Sequence, residues 1–181
     1  MKSEKQLYVA FLRGINVGGR KVIRMEELQK LFEGTGCSEV KTLLQSGNVI
    51  FSFQEQEIDI IAPSIEQHLE KELGYRVEIM LRTLEELASM VRSDPFNGRK
   101  ETEDMKLYVS FLLSEPDRKI PVPYISEKDG IEVISASARE AFIISRRIMG
   151  RSSFPNQWIE KELKVPATTR NWNTIARIVK G

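Results

Sequence analysis

The sequence predicts an α/β chain of the α+β kind: two ferredoxin-like βαββ-type halves, the second eroded, closed by a C-terminal helix. Two observations carry this. Leu7-Tyr8-Val9-Ala10-Phe11-Leu12 returns, 100 residues later and with one change, as Leu107-Tyr108-Val109-Ser110-Phe111-Leu112. Such self-similarity marks one supersecondary unit written twice. The apolar periodicities that follow the first copy run strand, helix, strand, strand, helix, strand, which is the split βαβ order. The halves are expected at residues 1–95 and 105–181, with the polar, glycine-containing 96–104 as the joint.

Gln6–Leu12 reads as a buried strand, apolar, β-branched and aromatic. Met25, Leu28, Leu31 and Phe32 fall at helical spacing, and Gly34-Thr35-Gly36 closes that helix. Val40–Gln45 and Asn48–Phe53 are strand-like runs joined by Ser46-Gly47, a two-residue hairpin signal. Ile58, Ile61, Ala62, Ile65, Leu69 and Leu73 form one helix face ending at Gly74, and Tyr75–Leu81 is the next strand. Thr83-Leu84-Glu85-Glu86 is a capping box, so a helix starts at Leu84 and stops before Asp94-Pro95. The second copy offers strands at Met105–Leu113, Ile131–Ser135 and Ala141–Ser145, then a helix from Pro155 to Leu163. Where a final strand is due, Thr168–Lys180 reads as a helix with Trp172, Ile175, Ala176 and Val179 on one face. Residues 6–53 and 105–146 are expected to superpose strand for strand.

The composition, 41% hydrophobic and 29% charged, is that of a soluble globular protein. The charged start, Met1–Gln6, precedes six apolar residues, too few for a secretory core or a membrane span. One cysteine, Cys37, rules out an internal disulfide and fits a reducing cytoplasm. The net charge of +1 gives no global signal for a polyanion. Locally the charge is uneven. Residues 13–24 carry Arg13, Arg20, Lys21 and Arg24 with no acid, and 164–181 carry Lys164, Arg170, Arg177 and Lys180 with none. Residues 54–74, by contrast, hold six carboxylates and one lysine.

Arg13–Lys21 is a glycine-rich segment between a strand and a helix, where backbone N–H groups approach an anion closely and a helix start adds positive potential. It is neither a Walker loop, lacking Gly-Lys-Ser/Thr, nor the dinucleotide fingerprint. The alternative is a flexible loop with solvated cations. Thr168-Thr169-Arg170-Asn171-Trp172-Asn173-Thr174 reads as a second helix start suited to a phosphate or carboxylate. Its plain alternative is N-capping by Thr168 or Thr169 with Trp172 in the core. Leu7–Leu12 also resembles the first-strand hexamer of RNA-recognition modules. Tyr8, Ala10 and Leu12 would then face an open sheet, but Asn48 and Ile50 occupy the stacking positions and Phe51 points into the core, so the platform is missing. His68, the only histidine, borders a helix face, which removes histidine-based acid–base schemes. No His/Cys cluster has metal spacing. Glu66, Glu70 and Glu72 read as a solvated helix face.

At Leu12-Arg13-Gly14-Ile15-Asn16-Val17-Gly18-Gly19, Gln45-Ser46-Gly47-Asn48-Val49 and Thr168–Thr174 the chain resembles the bacterial family catalogued as domain of unknown function 1697. The resemblance covers nearly the whole chain. It implies a small cytoplasmic bacterial α/β protein and no particular activity. Its motif residues are those the physical reading selects as candidate ligand contacts: Arg13, Asn16, Gly18, Gly19, Ser46, Asn48, Arg170, Asn171 and Asn173.

The expected function is binding of a phosphate-bearing ligand, nucleic acid or a nucleotide, with no membrane, metal or cofactor partner. The alternatives are an enzyme on a phosphorylated metabolite, using amides and arginines electrostatically, and a protein–protein module in which Asn16 and Asn48 shape loops. Arg13, Asn16 and Arg170 are expected to converge on one basic concavity. Ser46 and Asn48 join them only if the strands are short or the hairpin, expected at the opposite end of the sheet from the Arg13 loop, curls over it. Arg13→Ala and Arg170→Ala are expected to leave the melting temperature nearly unchanged.

Overall fold

Both copies of the hexamer become central strands. The computed structural model describes residues 5–54 and 58–181, so the charged start before Lys5, and Glu55 and Glu57 of the acidic run, lie outside the described residues. The chain divides into two units, Met1–Leu87 and Ala88–Gly181.

In the first unit, β1 (Lys5–Leu12), α1 (Met25–Glu33), β2 (Ser38–Leu43), β3 (Asn48–Gln54), α2 (Ile58–Leu73) and β4 (Ile79–Thr83) follow in order, and α3 (Leu84–Arg92) starts at its end. The sheet order is β2-β3-β1-β4, antiparallel throughout. This is the ferredoxin-like arrangement the periodicities predict. Leu28 and Phe32 of α1 and Ile61, Ile65 and Leu69 of α2 are buried against Tyr8, Ala10, Leu12, Val49 and Phe51. The capping box forms: Glu86 N–H donates to Thr83 Oγ1 at 3.0 Å, and Thr83 N–H to Glu86 Oε2 at 2.6 Å.

Three expectations for this unit need correction. Tyr8, Ala10 and Leu12 face the helices, not an open surface. Tyr8 pairs directly with Phe51, and directly opposed residues of neighbouring strands point the same way. The two rings therefore stack in the core at 5.7 Å. The β2–β3 connection is a four-residue loop, Leu44–Gly47, because the last pair of the ladder is Leu43 with Asn48. The fourth strand begins at Ile79, not Tyr75. The preceding backbone turns instead toward the glycine loop, where Arg76 and Glu78 carbonyls accept from Lys21 Nζ and Arg13 N–H.

The second unit holds β5 (Met105–Leu112), β6 (Tyr124–Ser126), β7 (Ile131–Ala136), β8 (Glu140–Arg146), α4 (Asn156–Leu163), β9 (Ala167–Asn171) and α5 (Trp172–Lys180). Its order is β6-β7-β8-β5-β9. Strands β7-β8-β5-β9 thus repeat the order β2-β3-β1-β4. Register agrees as well: Phe11 pairs with Asn48 and Phe111 with Glu140, while Val9 pairs with Arg82 and Val109 with Arg170. The erosion lies elsewhere than expected. The final strand is present as β9, and the missing piece is a counterpart of α1, replaced by the Leu113–Pro123 segment and the short β6. The helix begins only at Trp172 because Asn171 is its N-cap, its side chain accepting from Asn173 N–H at 2.9 Å. Thr168 and Thr169 are buried β-branched strand residues, as β-propensity favours.

Candidate functional site

Because β1 and β2 are each antiparallel to β3, they run parallel to one another and end at the same edge of the sheet. The loop after β1 and the hairpin after β2 are therefore neighbours, which overturns the expectation of opposite ends. Leu12 N–H donates to Gly47 O at 2.9 Å. Asn16 Nδ2 donates to Gln45 O at 2.9 Å and to Ile23 O at 3.1 Å, and its Oδ1 accepts from Ile23 N–H at 2.9 Å. Both amide protons of Asn16 are thus committed to holding the loop shut and tying it to the hairpin.

Within the loop, Val17 and Arg20 bridge through Arg20 N–H to Val17 O at 3.1 Å, with Gly18 and Gly19 at φ 58° and 72°. Two successive positive φ values are what a type I′ turn demands, and glycine meets them without steric cost. The space around both glycines is open: a Cβ on either would meet nothing within 4 Å. The four cations divide by environment. Arg13 Nη1 pairs with Glu78 Oε2 at 2.8 Å. Lys21 Nζ donates to Arg76 O at 3.0 Å and sits 5.1 Å from the Tyr75 ring centre. Arg20 and Arg24 are exposed. Arg24 is the N-cap of α1 and makes no side-chain capping bond. A cleft of about 340 Å³ opens here, lined by Asn16, Gly19, Val22, Ile23, Arg24, Met25, Glu26 and Gln45.

Ser46 and Asn48 build the hairpin itself. Asn48 is fully buried, and its Nδ2 donates to Leu43 O and to Ser46 Oγ, both at 2.9 Å. Away from the cleft, burial pushes the Glu66 carboxyl up, against the Ile79 N–H that donates to it at 2.7 Å. Burial likewise lifts the Cys37 thiol.

In the second unit, Arg170 is buried on β9. Its Nη1 donates to Thr168 Oγ1 at 2.7 Å and Thr169 O at 3.0 Å. Burial lowers its pKa to about 10, which leaves it charged at neutrality. Asn171 and Asn173 do not point to an open cradle. Both donate to the Glu101 carboxylate, Asn173 Nδ2 at 3.1 Å, and Leu107 N–H joins them at 3.0 Å. Lys106 Nζ stands 3.7 Å from the same group.

Sequence reasoning passed over Glu101, an acid in a polar stretch with no motif around it. It also passed over Gln45, which acts through a backbone carbonyl that no side-chain pattern reveals. Arg82 had a signal. It occupies the register position of Arg170, is likewise buried, and its Nη1 donates to the preceding carbonyl, Leu81 O, at 2.8 Å, as Arg170 does to Thr169 O. Aligning Ile79–Thr83 with Ala167–Asn171 would have paired the two arginines and recovered β9.

Among the described residues no group of three or more His, Cys, Asp or Glu side chains could hold a metal ion, and no helix is long and apolar enough to cross a membrane. The fold is similar to that in "The structure of conserved bacterial protein SP0830 from Streptococcus pneumoniae", with a TM-score of 0.64, 20% identity and 98% of each chain covered. No curated protein matches the sequence. Residues 6–142, most of the chain, match the family described as "Protein of unknown function (DUF1697)", and the chain belongs to that family.

Proposed function

We propose that the chain binds a phosphate-bearing ligand, a nucleic acid or a nucleotide, in the cleft between the Arg13–Arg24 loop and the start of α1. The observation that supports this is an open cleft with exposed Arg24 and Gly19 in its wall, facing Glu26 and bordering a stretch that exposes Arg20 as well and carries no carboxylate from residue 13 to 24. Guanidinium groups suit phosphate oxygens through charge-assisted, bidentate contacts. The Gly18–Gly19 turn lets backbone approach the ligand, and the N-terminus of α1 adds a favourable potential that Glu26 and Glu27 in its first turn partly offset. Arg13 is held by its ion pair with Glu78, Asn16 lines the cleft, and Ser46 and Asn48 build the hairpin that Gln45 extends into its wall. Arg170, Asn171 and Asn173 are left out of this site, because their polar groups serve the second unit's own interior and Glu101.

The test is a titration of the full chain with inorganic pyrophosphate, by calorimetry, and with a fluorescein-labelled single-stranded oligonucleotide, by anisotropy, each at low and high salt. Oligonucleotide binding that weakens steeply with salt identifies a polynucleotide ligand, and tight pyrophosphate binding with a shallow salt slope identifies a small one. Arg20→Ala and Arg24→Ala should each weaken the interaction. Failure of both probes to bind at about millimolar concentration overturns the reading. A protein partner is the second reading, favoured by Val17 and Val22, which flank the turn at 65% and 71% exposure.

A further inference from the structure

We infer that the hairpin Leu44–Gly47 is the positioning element of the cleft, with Gly47 setting the glycine loop through Ile15; the inference rests on the functional reading just given. Gly47 lies at φ 74°, and a Cβ there would stand 2.7 Å from Ile15 Cδ1, 2.8 Å from Ile15 Cγ1 and 3.1 Å from Leu12 Cβ. Ile15 is 2% exposed and leads directly into Asn16. The hairpin therefore touches the end of β1 and the loop after it at three successive places: Gly47 O receives Leu12 N–H, Gly47 packs on Ile15, and Gln45 O receives Asn16 Nδ2. Gln45 also lines the cleft. The hairpin is in turn stiffened from within by Asn48, whose amide ties Leu43 to Ser46. An interior packed to this density moves as discrete pieces, so displacing Ile15 carries the Gly18–Gly19 turn with it. A loop held in its binding shape by its neighbours avoids an ordering cost when the ligand arrives.

The test compares wild type, Gly47→Ala and the double variant Gly47→Ala/Ile15→Ala, using the same pyrophosphate and oligonucleotide probes. Gly47→Ala should raise the Kd of the bound probe by about tenfold, the scale of a lost preorganisation. The double variant removes the two atoms that collide. It should return to within about threefold of wild type while its melting temperature stays low, since the cavity left by Ile15 still costs stability. A double variant that binds as poorly as the single one overturns the inference, as does Gly47→Ala with unchanged Kd. If Gly47→Ala does not fold, Asn16→Gly, which keeps the left-handed backbone and cuts the tie to Gln45, should show the same loss. Amide resonances report without any ligand: Gly47→Ala should shift Gly14–Arg24, and shifts confined to residues 44–48 also overturn the inference. Wild type binding neither probe defeats the functional reading alone.

Discussion

Ser110 Oγ and Thr169 Oγ1 lie 2.6 Å apart in the second unit, where the first unit places Ala10 opposite Leu81 at the same register. The one residue that separates the two hexamers is thus accompanied by a matching change on the neighbouring strand. Thr169 Oγ1 also donates to Asn156 Oδ1 at 2.9 Å, so the buried hydroxyls reach the first residue of α4. An apolar pair in one copy corresponds to a hydrogen-bonded pair in the other. Either solution satisfies the interior, and a mixture does not. Ser110→Ala and Thr169→Val should each cost about 1 kcal/mol, and the double variant less than their sum by about 0.5 kcal/mol or more. A denaturant double-mutant cycle measures this, and strict additivity would refute a coupled pair.

Gly47→Ala should lower stability by about 2 kcal/mol, more than the roughly 1 kcal/mol of a positive φ alone, because overlap with Ile15 adds to the backbone strain. The midpoint of urea unfolding is the measurement. A change under about 0.5 kcal/mol would mean that the hairpin shifts away freely.

The two arginines expected to behave alike should part company. The Arg13 side chain is 37% exposed and its ion pair with Glu78 is half-buried, so Arg13→Ala should cost about 1 kcal/mol or less. Arg170 is 7% exposed and donates to Thr168 and Thr169. Removing it leaves those acceptors and a void, and Arg170→Ala should cost about 2 kcal/mol or more. The expectation of an unchanged melting temperature therefore does not extend to Arg170. Equal, small effects of both substitutions on the unfolding midpoint would contradict its burial.

Glu66 supplies a pH signature. Burial raises its carboxyl above the ordinary value, so the folded chain holds that proton more tightly than the unfolded one. Below the ordinary value both states are protonated and no penalty exists. As pH rises through the ordinary value and past the raised one, the penalty appears in full. Glu66→Gln keeps an acceptor for Ile79 N–H and removes the charge. Its stability relative to wild type should therefore improve between about pH 3.5 and pH 7. A difference that stays constant across that interval would show that the carboxylate bears no burial cost.

Much of the fold was legible in residue order. The hexamer repeat located both central strands, and the apolar faces read for α1 and α2 contain every buried residue of those helices, Leu28, Phe32, Ile61, Ile65 and Leu69, with their other members partly buried. The Thr83–Glu86 pattern marked the start of α3 because a capping box is local chemistry. What misled was also local. Trp172–Val179 has so clear a helical face that it drew Thr168–Asn171 into the helix, although Asn171 is the cap and the two threonines are strand residues. The direction of β2 relative to β1 depends on both pairing with β3, a relation between distant residues that no motif states. Arg13, Asn16, Gly18, Gly19, Ser46 and Asn48 were all visible as polar punctuation between apolar runs. That Asn16 spends both amide protons on backbone carbonyls was not visible, because its partners, Ile23 and Gln45, contribute only main-chain atoms.

The carboxylate at the head of α5 is supplied by the chain itself. An anion arriving from solution would compete with a group whose local concentration is fixed by the fold, and even a flexible tether sustains about millimolar or higher. Glu101 therefore acts as a permanent tenant. Phosphate added to the solution should leave the Asn171 and Asn173 side-chain amides undisturbed.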